Sequence, residues 1–176
     1  MDRKQSVLQY FQRGESLTTA VPLYRESLVR LFEWLIAADS ATDDQTTRTL
    51  DLHATTSAIV LSKQDGVVAG LEEVRFLLAQ YSSSQVQCYV QDGETVKKDT
   101  PILSIIANTG ELLPLERTIL NVIGRMSGIA TRTYHLIDLV RQGSALIAGT
   151  RKAPWMLLDK KAIYGGGGLT HRLNLN

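Results

Sequence analysis

The chain shows two kinds of hydrophobic spacing, one helical and one extended, which alternate over residues 1–112. Apolar residues recur three and four positions apart from Leu28 to Leu35, which predicts an amphipathic helix over residues 24–38. Similar spacing predicts a helix over residues 71–81 and a weaker one within residues 1–14. Short extended segments are predicted at residues 57–61, 66–70, 86–90 and 101–107.

Turn and loop residues separate these elements. Asp-Gly pairs at 65–66 and 92–93 predict tight turns, and the polar run 39–49 predicts a loop. Residues 1–112 are therefore predicted to form an α+β sandwich domain, with helices laid over one face of a sheet. The hairpin predicted at 91–103 resembles that of biotinyl and lipoyl carriers, but it lacks their modified-lysine tripeptide, which favours a purely structural hairpin.

A long helix is predicted to follow over residues 112–143, because the apolar positions there form a wide stripe. Pro114 fits near its start, where a missing N–H costs nothing. Gly124 and Gly128 are predicted to let another backbone pack closely. Arg117 is placed in the first turn, where a cation opposes the helix dipole, and both a functional role and a simple solvated arginine remain open.

A short apolar run, residues 144–150, is predicted to be a parallel strand covered on both faces, because it shows no alternation. Arg151 and Lys152 follow at its carboxyl end, which is where parallel α/β folds bind ligands. Arginine suits a carboxylate and lysine a phosphate, so the pair predicts an anion site. An exposed basic pair after a strand is the equally weighted alternative.

The last part of the chain adds a second group of candidate cations. A short helix is predicted over residues 157–164, and its Lys160-Lys161 pair is interpreted as a solvated surface. The four glycines 165–168 cost so much chain entropy that they suggest close backbone approach to a ligand or a mobile loop. His171 and Arg172 then make chemical sense as an anion clamp, ahead of a further strand predicted to begin at residue 173.

Composition narrows the function classes. With 44% hydrophobic and 21% charged residues, the sequence is that of a globular protein. The formal net charge is +1, so anion binding has to come from a local cluster. Cys88 is the single cysteine, which excludes an intramolecular disulfide, and no apolar run is long enough to span a bilayer. A cytoplasmic location is therefore expected.

Four ordered motifs connect the candidate residues. They are Glu116-Arg117-Thr118-x-Leu120-Asn121, Ser127-Gly128-Ile129-Ala130-Thr131, Thr150-Arg151-Lys152 and Gly167-Gly168-x-x-His171-Arg172. Together they resemble the quinolinate phosphoribosyltransferases, also called carboxylating nicotinate-nucleotide pyrophosphorylases. The resemblance implies an N-terminal α/β sandwich domain followed by a barrel related to the (β/α)₈ type. It also implies Mg²⁺-assisted phosphoribosyl transfer from phosphoribosyl pyrophosphate to quinolinate, which gives nicotinate mononucleotide, pyrophosphate and CO₂ in NAD biosynthesis.

The resemblance also assigns roles to individual residues. Arg151, His171 and Arg172 are expected to bind the carboxylates of quinolinate. Lys152, the candidate catalytic residue, is expected near a substrate carboxylate or the phosphoribosyl donor. Arg117 is expected to reach into the active site of the partner subunit in a homodimer. No residue of the chain is identified as a Mg²⁺ ligand, and neither nucleic acid nor a membrane is expected as a partner.

The sequence departs from the family pattern in places. Ala153 stands where the family often has Thr, and Leu169-Thr170 where a Val-Asn pair is common. The sequence stops at Asn176, before the acidic and glycine-rich segments of the family. We therefore expect residues 113–176 to supply the linking helix and first strands of an incomplete barrel, and the chain alone to be inactive. Two alternatives stay open, namely a non-catalytic shortened relative that acts as a dimerisation or binding module and the related molybdenum-transport-associated phosphoribosyltransferase.

Overall fold

The computed structural model describes residues 3–40 and 54–173. The helices are Arg3–Phe11 (α1), Pro22–Ser40 (α2), Leu71–Tyr81 (α3), Thr109–Val140 (α4) and Leu157–Gly165 (α5), and a 3₁₀ turn spans Gly14–Ser16. The strands are Thr55–Leu61 (β1), Gly66–Val67 (β2), Gln85–Cys88 (β3), Thr95–Val96 (β4) and Pro101–Asn108 (β5). The predicted loop 39–49 falls largely outside the described residues, as does the strand predicted from residue 173.

An antiparallel sheet of three strands forms the N-terminal part, with β5 between β1 and β3. β5 contributes Leu103, Ile105 and Ala107 to the core, whereas β1 alternates between exposed and partly buried residues. Ile59 and Ile106 are exposed on the uncovered face. β2 and β4 pair separately as a short ladder. One face of the larger sheet therefore packs on helices, as the predicted α+β arrangement requires.

The 32-residue helix α4 runs through the middle of the core. Its buried stripe repeats every three or four residues, and burial of each large aliphatic side chain contributes about 1.5–3 kcal/mol. This stripe packs against α2, α3 and α5, so α4 joins the N-terminal sheet layer to the C-terminal segment. The main residues of the stripe are Leu115, Ile119, Val122, Met126 and Ala130.

α4 begins earlier than its predicted start. Asn108 caps the helix, because its side-chain oxygen accepts a hydrogen bond from the Gly110 N–H at 2.8 Å. Pro114 consequently lies inside the helix, and Arg117 lies in the third turn. The prediction that Arg117 opposes the dipole from the first turn is therefore wrong. The predicted domain boundary, between residues 112 and 113, falls within α4, and the division into two domains stays a prediction.

The run of glycines serves helix packing, not the predicted ligand approach or mobile loop. A Cβ added to Gly166 would lie 2.3 Å from the Ala130 carbonyl oxygen, and one added to Gly168 would lie 2.8 Å from the Thr133 side chain. Both neighbours belong to α4. By contrast, a Cβ at Gly124 or Gly128 would meet nothing within 4 Å, so the predicted close backbone packing is not made within the described residues of this chain.

The predicted buried strand over residues 144–150 is reduced to one parallel bridge between Ala148 and Leu169. Residues 144–146 are exposed, and Leu146 is 44% exposed, so the predicted cover on both faces is absent from this part of the described chain. A buried strand of a sheet needs neighbouring strands with which to pair, and the single bridge gives this segment one pairing partner. The parallel direction of the pairing is nevertheless as predicted.

None of the helices within the described residues combines the length and the apolar character that a membrane span needs.

Candidate anion-binding site

A cleft of about 520 Å³ lies where residues 149–152 approach residues 171–173. Ligand sites commonly fall in the range of about 300–1,000 Å³. Four of the five predicted site residues line it, namely Arg151, Lys152, His171 and Arg172. Lys160 is a fifth basic residue in the same lining. Basic side chains separated in sequence are therefore gathered around one cavity.

The parallel bridge explains why these residues meet. The Gly149 N–H donates to the Leu169 carbonyl at 2.8 Å, and the Leu169 N–H donates to the Ile147 carbonyl at 2.9 Å. Because the two paired segments run in the same direction, the residues that follow each of them lie at the same end of the pair. Gly149 packs closely on α5, since a Cβ there would lie 2.8 Å from the Cδ1 atom of Ile163.

His171 has an unusual backbone and a defined hydrogen-bonding role. Its φ is 61°, in the left-handed region that non-glycine residues seldom adopt. The Arg172 N–H donates to Nδ1 of His171 at 2.8 Å, so the neutral ring carries its proton on Nε2. Burial, followed by the positive charge of Lys160, lowers the pKa of His171. The ring is therefore suited to donate one hydrogen bond while remaining neutral at neutral pH.

Lys160 is the residue of the cleft that the sequence interpretation missed. It is only 5% exposed, and its Nζ donates to the Arg172 carbonyl, so the prediction of a solvated lysine is wrong. Burial, and then Arg151 and Arg172, lower its pKa. A signal was available in the sequence: Lys160 follows Leu157 by three residues, which places it on the same face of α5 as a buried leucine.

Lys161 faces the opposite way and ties α5 to the N-terminal part. Its Nζ lies 2.7 Å from Oε1 of Glu73 and also donates to Glu72. Glu73 is fully buried (0% exposed) and accepts a hydrogen bond from the Tyr24 hydroxyl at 2.7 Å. Burial would raise the pKa of Glu72, but hydrogen bonds from Lys161, Thr18 and Thr19 lower it to about 2. This network fixes the helix that carries Lys160.

The start of α5 is fixed by a second ion pair. Arg125 of α4 binds Asp159 through two bonds, with Nε 2.7 Å from Oδ1 and Nη2 2.9 Å from Oδ2. Asp159 also accepts from the Trp155 N–H at 3.1 Å, and the Arg125 guanidinium lies 5.0 Å from the Trp155 ring centroid. A two-bond arginine–carboxylate pair is geometrically specific, so it orients α5 on α4.

Arg117 is the predicted site residue that the structure does not bring to the cleft. Its side chain is 74% exposed and forms an ion pair with Asp39 at the end of α2. It is absent from the lining of the cleft in its own chain. Nothing in a single chain tests whether it reaches a partner subunit, so that expectation stays a prediction.

The cleft does not fit a divalent cation. Its lining contains basic residues and no carboxylate, whereas Mg²⁺ requires oxygen ligands. In the part of the chain that the structure describes, no group of three or more His, Cys, Asp or Glu side chains is arranged to hold a metal ion. The arrangement is instead suited to a small molecule that carries more than one negative charge.

Comparisons with known proteins agree with this fold. The family described as "Quinolinate phosphoribosyl transferase, N-terminal domain" matches residues 43–127. A relative named quinolinate phosphoribosyltransferase [decarboxylating] 2, mitochondrial, from Nicotiana glauca is 38% identical over 130 residues, which cover 72% of this chain and 36% of that protein. A probable nicotinate-nucleotide pyrophosphorylase [carboxylating] from Methanothermobacter thermautotrophicus is 34% identical over 147 residues, covering 81% of this chain and 52% of that protein.

A solved structure extends the likeness to three dimensions. The nicotinate-nucleotide pyrophosphorylase from Francisella tularensis superposes with a TM-score of 0.78 and 29% identity, covering 85% of this chain and 55% of that one. The α+β layer and the long helix thus define the N-terminal portion of an α/β class of enzymes related to nicotinate-nucleotide pyrophosphorylase. The chain belongs to the quinolinate phosphoribosyltransferase family. It spans between about a third and about half of the length of these relatives.

Proposed function

We propose that this chain supplies the acceptor-binding part of a quinolinate phosphoribosyltransferase. In that reaction quinolinate takes the phosphoribosyl group of phosphoribosyl pyrophosphate, and nicotinate mononucleotide, pyrophosphate and CO₂ are formed. The observation that carries the proposal is the convergence of Arg151, Lys152, Lys160, His171 and Arg172 on one cleft. Quinolinate is a dianion with two adjacent carboxylates, and such a cluster complements both of them.

Each side chain suits a part of that ligand. The guanidinium groups of Arg151 and Arg172 can each hold a carboxylate through two hydrogen bonds. Lys152 adds a compact positive charge that serves a carboxylate or the phosphoribosyl donor. His171, kept neutral by burial and by Lys160, donates from Nε2. Binding both carboxylates would orient the ring nitrogen towards the ribose carbon, so positioning supplies much of the catalysis.

The same cations would assist the loss of CO₂. Departure of the carboxylate at the ring position next to nitrogen leaves an electron pair on the ring carbon, which neighbouring positive groups stabilise until a proton replaces it. The phosphoribosyl donor would bring Mg²⁺ as its counter-ion. The described lining of the cleft holds no carboxylate for that ion, so none of the cleft residues is assigned to it.

The proposal includes a homodimer in which Arg117 completes the cleft of the partner subunit. This part of the proposal is supported by the high exposure of the Arg117 side chain and by the absence of Arg117 from the cleft lining of its own chain. We also propose a cytoplasmic location. The free thiol of Cys88, the single cysteine, suits a reducing compartment, and subcellular fractionation would test this location against the mitochondrial one named for the Nicotiana relative.

Calorimetric titration of the purified chain tests the acceptor assignment. Quinolinate is expected to bind more tightly than nicotinate, which lacks the second carboxylate, and Arg151→Ala is expected to weaken quinolinate binding about tenfold or more. Arg30→Ala is the matched control, because Arg30 is a well-exposed arginine on α2, outside the cleft lining. Equal affinities for the two acids, or equal effects of the two variants, would refute the assignment.

A further inference from the structure

Thr170 lies immediately before the His171–Arg172 pair and is fully buried, at 0% exposed. A buried hydroxyl needs partners, and this one finds them in the N-terminal arm, which we define as residues 3–16. Its Oγ1 accepts from the Arg13 N–H at 3.0 Å and lies 2.7 Å from the Phe11 carbonyl, to which it can donate. The His171 carbonyl, at 2.9 Å, is a competing acceptor for the same proton.

The arm also touches the histidine directly. The Phe11 ring meets the His171 imidazole edge to face, with ring centroids 4.5 Å apart and an interplanar angle of 78°. Gly14 is buried against Tyr164 of α5, where a Cβ would fall within 2.0 Å of the ring. The arm is therefore seated on the same two elements, α5 and residues 170–171, that form one wall of the cleft.

This contact matters because the turn at His171 is not a relaxed one. Its positive φ is a conformation that persists only where the surroundings fix it. On one side Lys160 donates to the Arg172 carbonyl. On the other side Thr170 and Phe11 hold the residues leading into the turn. Removal of either support would let the imidazole and the guanidinium leave the geometry that the cleft requires.

We propose that the N-terminal arm is part of the anion site, with Thr170 as the positioning residue that couples it to His171 and Arg172. The identity of the ligand rests on the proposed function, whereas the coupling of the arm to the turn does not.

The experiment compares Thr170→Val, which keeps the shape and removes the hydroxyl, with Thr170→Ser, which keeps the hydroxyl. Thr118→Val is the matched control, because Thr118 is equally buried but lies in α4 outside the cleft lining. Two readouts are taken on the full chain, at a temperature where circular dichroism shows every variant folded. One is quinolinate affinity by calorimetry, and the other is amide hydrogen exchange at Arg172, whose N–H bonds to His171.

Thr170→Val is expected to weaken quinolinate binding about fivefold and to speed exchange at the Arg172 amide by a similar factor, as loss of one hydrogen bond would. Thr170→Ser should stay within about twofold of the wild type on both readouts. Unchanged values for Thr170→Val, or the same losses in Thr118→Val, would overturn the proposal.

Two further outcomes are informative. If the wild-type chain does not bind quinolinate, the proposed ligand is wrong, and the exchange rate at Arg172 alone decides whether the arm holds the turn. If Thr170→Val does not fold, Phe11→Leu replaces it. That variant removes the edge contact with His171, and it should also speed exchange at Arg172; an unchanged rate would refute the coupling.

Discussion

Lys160 and Lys161 are neighbours in α5, yet their side chains have opposite surroundings. Lys160 lies among the cations of the cleft, and burial together with Arg151 and Arg172 lowers its pKa. For Lys161, burial would also lower the pKa, but the attraction of Glu73 and Glu72 outweighs it and raises the pKa instead. One residue therefore contributes positive potential to the site, while the other supplies the counter-charge of a buried carboxylate.

Replacement of Lys161 tests the second role. Lys161→Met is expected to lower the free energy of unfolding at pH 7 by about 3–5 kcal/mol, because it leaves Glu73 buried without a cation. Burial raises the pKa of Glu73 above its ordinary value of 4.5. Below that value the Glu73 carboxyl is mostly neutral in both states, so its share of the penalty is small at pH 4 and grows as the pH rises. The share of Glu72, whose pKa is about 2, is already present at pH 4. Urea unfolding at the two pH values measures the difference.

The double variant Glu73→Gln/Lys161→Met provides the control. Glutamine keeps an acceptor for the Tyr24 hydroxyl and carries no charge, so most of the lost stability should return. A loss in Lys161→Met that is equal at pH 4 and pH 7, or undiminished in the double variant, would show that the unpaired charge of Glu73 is not responsible.

At the scale of elements, the contact between α4 and α5 depends on missing side chains. Gly166→Ala is expected to destabilise the protein by about 1–3 kcal/mol, because the new methyl group would overlap the Ala130 carbonyl. The φ of Gly166 is −82°, which alanine adopts without strain, so the effect isolates the steric contact. Thermal unfolding followed by circular dichroism measures it.

Gly124→Ala is the matched substitution within α4. A methyl group there would meet no atom within 4 Å, and alanine is the better helix former by about 0.8–1.0 kcal/mol. The two Gly→Ala changes should therefore move the melting temperature in opposite directions. A shift of the same sign in both variants would contradict the packing described for Gly166.

Local sequence patterns predict where helices and strands lie better than they predict which residues pack against them. The helix predicted over residues 71–81 has those bounds, because its spacing and the flanking Gly70 and Ser82 are local signals. The predicted start of α4 is too late, because Asn108 is both the last residue of β5 and the cap of the helix that follows. The glycine run was misinterpreted, because its packing partner is about 36 residues away in α4.

The candidate site was also predicted only in part, because some of its residues carry local signals and others depend on distant partners. Arg151 and Lys152 were predictable because they follow an apolar segment at the end where parallel α/β folds bind ligands. His171 and Arg172 were predicted from the chemistry of an anion clamp and from the family resemblance. The burial of Lys160 and Lys161 depends on partners that the order of residues does not show. Lys161 and Glu72 are 89 positions apart, so their pairing becomes visible only in the folded chain.

At the scale of the whole molecule, the position of Arg117 outside its own cleft leads us to expect a dimer. Light scattering is expected to give the mass of a dimer, and Arg117→Ala is expected to weaken quinolinate binding although Arg117 does not line its own cleft. Arg30→Ala again serves as the exposed-arginine control.

Mixing experiments separate a shared site from an indirect effect. Arg117→Ala and Arg151→Ala subunits, each defective alone, would form heterodimers in which one of the two clefts is intact. Random exchange should then restore about a quarter of the wild-type binding sites. A monomeric mass, or no recovery on mixing, would refute the shared cleft.

The bond between Thr170 and the arm also has a consequence for how the protein acquires its shape. The Arg13–Thr170 and Phe11–Thr170 contacts join residues 157 and 159 positions apart. Contacts at such separation carry a large loop-closure entropy and form late in folding. During synthesis the sheet and α4 can assemble first, whereas the cleft wall has to wait until residue 170 has left the ribosome. The nascent chain can therefore form its scaffold before it completes the wall of the cleft.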